Sequence, residues 1–398
     1  MDFQFSPDEQ AFAQEVRAFL HTHPPETFPV DGMDAGYGSG AHSRAFLRAL
    51  ADRGWLTMTW PRSVGGEERS LMYTLVLFEE LAAVGAPFGA LAGCNQTAEA
   101  IIRYGSDALR REVLPRIGRG EATFWQGFSE PEAGSDLLSL KTEAERRGDE
   151  YVIRGHKIWG SHAGIEDYGL VLARTDPSAR RHQGLSMFVV DNATAGMDIR
   201  PIRSLTGEVY HYEVFLDDVH VPAGYLLGRE GEGFTQLLHG LDTDRFWGRF
   251  YKAPMLRRVL DELVHYANVT SRNGARLAHD HGIRRRLAAL ATDVQAVRLL
   301  FYRIAWMIRD GLPTPYETAL VKVMADETGQ AVAALGMEML GLHGPLTGDS
   351  RWARLNGSIQ HLYQTGLGQT IAGGTSEILR STVATRGLDL PAEAKVRD

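Results

Sequence analysis

One cysteine, five lysines and no long apolar run are the shortages of this 398-residue chain. With Cys94 alone no disulfide can close within the chain, and a zinc site made of cysteines is excluded, so a reducing cytoplasm is the expected location. The opening MDFQFSPDEQ has neither the basic nor the apolar region of a secretory signal, and the longest weakly polar stretch, Leu81 to Cys94, is broken by Gly85, Pro87, Gly89 and Gly93. No targeting segment and no membrane span are expected. Positive charge is also short: the formal charge is -8 at pH 7, which leaves no basic field for a nucleic-acid backbone or an anionic membrane. The excess of arginine over lysine reads as codon bias and carries no function.

What is present is ordinary globular material, 44% hydrophobic and 23% charged, in a length that suits two or three domains. Ser6 as N-cap, Pro7 after it and Glu9 in the capping-box position, followed by Phe12, Val16, Phe19 and Leu20, predict a first helix. The Pro- and Gly-rich segment His23 to Ser43 predicts a loop, and helices are expected over Arg44 to Asp52 and Leu71 to Ala83. From Glu121 to Gly228 short turn-bounded runs such as LVLAR, LSMFVVD and YEVFLDDVHVP predict a small β sandwich or barrel. A helical period returns after Gly231, with Leu287, Leu290, Val294, Val297, Phe301, Ile304 and Ile308 on one stripe, as in a four-helix bundle. Breaks are expected at Gly311 to Pro315, Gly341 to Gly348 and Gly366 to Gly374. The expected architecture is mainly α with a central β domain: a helical domain over 1–120, a β domain over 121–230 and a helical bundle over 231–398.

Three strings draw attention for chemistry. In WQGFSEPEAGSD, Gly134 and Ser135 supply a bend with little bulk and polar donors, which suits either a tight surface turn or a cradle for a pyrophosphate or flavin edge. In GHKIWGSHAG, Trp159 reads as core or as a plane against a cofactor, with Ser161 as a hydrogen-bonding neighbour. In IAGGTSEILR, Gly373 and Gly374 precede a helix start at Thr375, either an ordinary cap or an anion site.

Together, in this order and spacing, these strings resemble the acyl-CoA dehydrogenase family. SEPEAGSD, GHKIWGS and GGTSEILR are similar to its signatures, and FSPDEQ, GWLTMTWPRSVGG and DDVHVPAGYLLGREGEGF extend the likeness over almost the whole chain. The resemblance implies FAD held between β domain and bundle across a dimer interface. It places Phe128 and Ser129 on the isoalloxazine, Gly134 and Ser135 at the pyrophosphate, Trp159 and Ser161 at the flavin's far face and N5 edge, and Thr375 and Glu377 at the rim of the cofactor site. Arg272 stands where the family's arginine reaches the pyrophosphate of a neighbouring subunit. The chain departs from the family there, since the usual Phe-Gly after that arginine is absent and Glu338, Gly341 and Leu342 stand in place of a Gln-x-x-Gly-Gly pattern.

The family's reaction removes a Cα proton to a carboxylate while a hydride leaves Cβ. Many members carry that carboxylate two residues before the Thr of the last signature, where this chain has Gly373, whose N–H remains able to polarise the thioester carbonyl. Other members carry it in a Glu-Arg pair on the first long helix of the bundle, which Asp244-Arg245 resembles. Asp244 is therefore the candidate base, about 1.5 Å shorter than a glutamate, with Asp242 and Arg245 lining the pantetheine and acyl end. The alternative for Asp244 is a surface carboxylate paired with Arg245 or Arg249. The resemblance implies dehydrogenation of an acyl thioester, acyl-CoA in the first place, with electrons passed to an electron-transferring flavoprotein, in a homodimer or tetramer. A base-poor subunit of a heterotetramer and a flavin monooxygenase are the alternatives. His279 and His281 read as a polar loop rather than a metal site, Asp217 and Asp218 as a structural turn, and Met337 and Met339 as core or pocket wall.

Overall fold

The computed structural model describes residues 4–31, 41–179 and 182–392, the side chains of 240–248 excepted. Helices α1 (Pro7–Thr22), α2 (Arg44–Asp52), α3 (Leu71–Val84), α4 (Gly89–Tyr104), α5 (Asp107–Glu112) and α6 (Leu114–Gly118) come first. Strands β1 (Phe124–Gly127), β2 (Glu143–Arg147), β3 (Glu150–Ser161), β4 (Tyr168–Arg174), β5 (Leu185–Asp191), β6 (Met197–Arg203), β7 (Val209–Pro222) and β8 (Leu226–Leu227) follow. Then come α7 (Gly233–Phe250), α8 (Lys252–Val269), the hairpin β9 (Ser271–Arg272) and β10 (Ala275–Arg276), α9 (His281–Arg309), α10 (Glu317–Leu340), α11 (Ser358–Gln369) and α12 (Ser376–Gly387). By compactness the chain forms two units: a sheet unit of His23–Ser70 and Pro87–Gly248, and a bundle unit of Met1–Thr22, Leu71–Ala86 and Arg249–Asp398. No helix among the described residues is long and apolar enough to cross a membrane.

The sheet unit is organised by one eight-stranded sheet in the order β6-β7-β3-β2-β4-β5-β8, with β1 joined to β4. β1 runs parallel to β4, while β3-β7, β4-β5 and β6-β7 are antiparallel. Trp125, Ile153, Val171, Phe188, Val214 and Val219 pack into one apolar cluster on this sheet. The Trp125 indole N–H is satisfied by Asn192 Oδ1 at 2.8 Å, which allows so large a polar-tipped ring to lie buried. Helix α4 lies against β1 only because residue 93 is glycine: a Cβ there would meet the Phe124 carbonyl oxygen at 2.7 Å.

In the bundle unit α10 is the central helix, packed on α8, α9, α11 and α12, while α1 packs on α3 and α3 on α8 and α9. The capping box forms, with Glu9 N–H donating to Ser6 Oγ at 3.3 Å and Ser6 N–H to Glu9 Oε2 at 2.8 Å. On α9, Leu287, Leu290, Val294, Val297, Phe301 and Ile304 are buried as the period requires. Ile308 departs from that stripe and is 41% exposed, because it lies in the last turn before the helix ends at Arg309. The predicted break at Gly366 also moves: Gly366 and Gly368 lie inside α11, and the turn starts at Thr370.

Phe301 has no exposure and meets Phe250 edge-on, ring centroids 5.3 Å apart. Phe301→Ala is expected to cost about 3–5 kcal/mol, read as a lower urea midpoint with an unchanged slope.

Candidate flavin and thioester site

The SEPEAGSD string begins where β1 ends, and its shape is set from below by a buried ion pair. Glu130 and Ala133 exchange backbone hydrogen bonds of 3.1 Å each, closing the turn. The Glu130 carboxylate accepts from Lys141 N–H at 2.7 Å, from Thr142 N–H at 2.9 Å, from the Thr142 hydroxyl at 2.6 Å and from Lys157 Nζ at 2.8 Å. Lys157 also donates to the Phe128 carbonyl at 3.2 Å, and Ile158 N–H donates to the Ser129 carbonyl at 3.0 Å. The first two signature strings are thereby tied into one surface. Burial alone would raise the Glu130 carboxyl, but the Lys157 charge and these donors outweigh it and hold the group below the usual carboxylate range. Burial pulls Lys157 down to about 8 against the opposing pull of Glu130, so near pH 7 the pair is charged on both sides.

Next to this anchor the β3 backbone is irregular. Lys157 pairs with Val214 and Gly160 with Tyr212, so β3 carries one more residue than β7 over this span, a β-bulge. Trp159 sits in the bulge at φ 65° and is 54% exposed, its ring meeting the His211 ring edge-on at 5.7 Å. Ser161 Oγ lies 3.4 Å from His211 Nδ1, and His162, also left-handed at φ 59°, is fixed by its N–H to the Tyr210 carbonyl at 2.8 Å. The bulge therefore turns Trp159 out of the core. Gly134 opens onto space, since an added Cβ would meet nothing within 4 Å, and among the described residues neither Gly134 nor Ser135 is engaged in a hydrogen bond. An exposed aromatic plane with a hydroxyl beside it, and an exposed Gly134–Ser135 turn with open space at the glycine, fit a flat ring joined to an anionic pyrophosphate.

The bundle unit holds the remaining candidates. Thr375 is the N-cap of α12, its hydroxyl accepting from Ile378 N–H at 3.2 Å, and Gly373 and Gly374 precede it at φ 69° and 97°. Glu377, exposed in the first turn of α12, is held below the carboxylate range by its own N–H and the Thr375 hydroxyl. Arg272 is exposed on β9, and its Nη2 donates to the carbonyls of Met339 at 2.7 Å and Glu338 at 3.3 Å, at the C-terminal end of α10. Asp242, Asp244 and Arg245 fall on α7, but their side chains lie outside the described residues.

Beneath the glycine pair lies a cluster the sequence reading did not single out. Lys322 and Asp326, one turn apart on α10, are fully buried and 2.9 Å apart, and Lys252 of α8 also pairs with Asp326. Burial lowers Lys252 to about 7, and Asp326 stays below its usual range because the charges of Lys252, Arg249 and Lys322 outweigh its burial. The signal was two opposite charges four apart within the apolar run ETALVKVMADE. His279 ends a 3-10 turn and His281 starts α9, and no metal-holding group of three or more His, Cys, Asp or Glu gathers among the described residues. Met339 is core and Met337 packs against it. The Cys94 thiol is buried and pushed well up by that burial, which leaves it inert.

Glu130→Gln leaves a buried ammonium without its counter-ion and is expected to cost about 3–5 kcal/mol. Because the folded carboxyl lies below its unfolded value, the native contribution is full above about pH 4.3 and fades as pH falls through the folded value. Urea titrations between pH 7 and pH 3 should show a smaller acid loss in Glu130→Gln than in the native protein.

Comparison with known proteins identifies the family. Family models described as the acyl-CoA dehydrogenase N-terminal, middle and C-terminal domains match residues 6–121, 126–219 and 231–388. The chain is 30% identical to the acyl-CoA dehydrogenase FadE26 of Mycobacterium tuberculosis, covering 98% of this chain and 99% of that protein. It is 32% identical to acyl-CoA dehydrogenase IpdE1 of the same organism, with the same coverage. Among solved structures, the Tcur3481-Tcur3483 steroid ACAD superposes with a TM-score of 0.87 at 31% identity, covering 99% of this chain and 100% of that one. The ChsE4-ChsE5 complex from Mycobacterium tuberculosis gives a TM-score of 0.83 at 28% identity, with coverage of 99% and 100%.

Proposed function

The chain belongs to the acyl-CoA dehydrogenase family, FAD-dependent oxidoreductases that act on CH-CH groups, and from that premise we propose that it oxidises an acyl-CoA to the trans-2-enoyl thioester with Asp244 as base. The observation that carries the reading is the exposed Trp159 beside Ser161, held out by a bulge next to the open Gly134–Ser135 turn. When bound there, FAD supplies the acceptor for the hydride leaving Cβ.

The chain's own residues supply the rest. Trp159 offers a face to the ring, Phe128, Ser129 and Ser161 contacts along it, Gly134 and Ser135 the pyrophosphate cradle, Thr375 and Glu377 the rest of the cofactor site, and Arg272 a cation for the pyrophosphate of a second subunit. The Gly373 N–H holds the thioester oxygen, which acidifies the Cα proton. Asp244 takes that proton, with Asp242 and Arg245 along the acyl and pantetheine path. Electrons then pass to an electron-transferring flavoprotein, and a homodimer or tetramer in the cytoplasm completes the reading. A heteromeric assembly is the second reading: Gly373 stands where many members carry the base, and two structural relatives are named as two-chain assemblies.

Anaerobic bleaching of the flavin absorbance by a panel of acyl-CoAs tests this. Some thioester should bleach the native protein in a single turnover, and Asp244→Ala should slow that step by about 10²-fold or more. Equal bleaching in the variant would place the base elsewhere. A flavin that no thioester bleaches would favour the partner-subunit reading.

A further inference from the structure

The turn from Thr370 to Gly374 is held from inside the bundle unit by two cations. Arg249 donates to the Gln369 side-chain carbonyl and, through Nη2, to the Ala372 carbonyl at 3.2 Å. Lys322, without exposure, donates to the carbonyls of Gln369 at 3.0 Å and Gly374 at 2.8 Å and faces Asp326 Oδ2 at 2.9 Å. Two of these contacts are hydrogen bonds to carbonyls, and the third is an ion pair that balances the charge. Gln369 is the last residue of α11, so the Lys322 charge also meets the negative end of that helix.

Peptide planarity turns this into a statement about direction. No peptide bond in the described chain is cis, so each carbonyl points opposite to the N–H of the next residue. Because the Ala372 carbonyl faces Arg249, the Gly373 N–H points the other way, and because the Gly374 carbonyl faces Lys322, so does the Thr375 N–H. The left-handed φ values of Gly373 and Gly374 let two successive planes adopt this arrangement without a Cβ penalty. A cation on a peptide oxygen also polarises that peptide and strengthens its N–H as a donor.

We propose that Arg249 and Lys322 are positioning residues for thioester activation: by holding the Ala372 and Gly374 carbonyls they aim the Gly373 N–H at the carbonyl oxygen of the bound acyl thioester. This rests on the dehydrogenase reading above. Neither residue touches the reacting atoms; Arg249 acts through the Ala372–Gly373 peptide and Lys322 through the Gly374–Thr375 peptide that follows it. Asp326 and Lys252 stand behind them, Asp326 being the counter-ion that both buried lysines share.

The test uses the FAD-loaded full chain and a cinnamoyl-type CoA thioester, whose absorption moves to the red when its carbonyl is polarised. The native protein should bind this probe with a red shift. Arg249→Met should bind it with little loss of affinity, lose most of the shift, and lower kcat about 10²-fold with KM nearly unchanged, and Arg249→Lys should recover part of the shift. Lys322→Met should behave alike, and if it does not fold, the Arg249 pair alone decides. A full red shift in Arg249→Met, or probe bound to the native protein without any shift, overturns the inference while bleaching by saturated acyl-CoAs still supports the dehydrogenase. If the native protein neither binds the probe nor is bleached, the dehydrogenase reading fails and this inference with it.

Discussion

A buried ammonium must find acceptors for its protons, and much of this protein's functional surface is arranged around that requirement. Lys157 lies without exposure in the sheet unit and is met by Glu130 and the Phe128 carbonyl. Lys322 lies without exposure in the bundle unit and is met by Asp326 and two carbonyls of the α11–α12 turn. In both units at least one acceptor comes from a string that carries a family signature, Glu130 in one and Gly374 in the other, so satisfying the charge also helps to fix that segment. An isolated charge in a low-dielectric interior is heavily penalised, and the penalty makes such a loop resist alternative conformations.

The second recurring device is the left-handed backbone at non-glycine positions. Trp159 and His162 each carry a conformation that costs on the order of 1–2 kcal/mol, and both lie within four residues of β3 and its end. The cost is offset by β7, whose pairing resumes at Gly160 and whose Tyr210 carbonyl accepts from His162. What results is an indole standing on a rigid strand rather than on a loop, which suits a group meant to lie flat against a planar ring.

Much of this was legible in the sequence. The α9 stripe follows from its spacing because a helix in a bundle must bury one face, and the signature strings carry the family because their order and separation recur together. The orientation of Trp159 was not legible, since periodicity places a β3 residue on one face or the other and the bulge that redirects it depends on β7, some fifty residues later. The role of Glu130 was hidden for the same reason: its partner Lys157 is 27 positions away. Lys322 was missed because a charge inside an apolar run announces burial and not what it holds, and Arg249 was read only as an alternative partner of Asp244. The exposure of Ile308 shows the opposite limit, a pattern that continues past the point where packing stops.

The burial of the lysines bears on chemical durability. Thioesters acylate unprotonated amines, and an enzyme that handles them is exposed to its own substrate class. Lys157, Lys252 and Lys322 are sealed in the interior. Lys141, the exposed lysine of the described chain, is ion-paired with Glu132 at 2.8 Å, which raises its pKa and keeps its nitrogen lone pair occupied by a proton. The described part of the protein thus offers its substrates almost no nucleophilic amine, and slow self-acylation, a common ageing reaction of proteins bathed in activated acyl groups, has little surface on which to proceed.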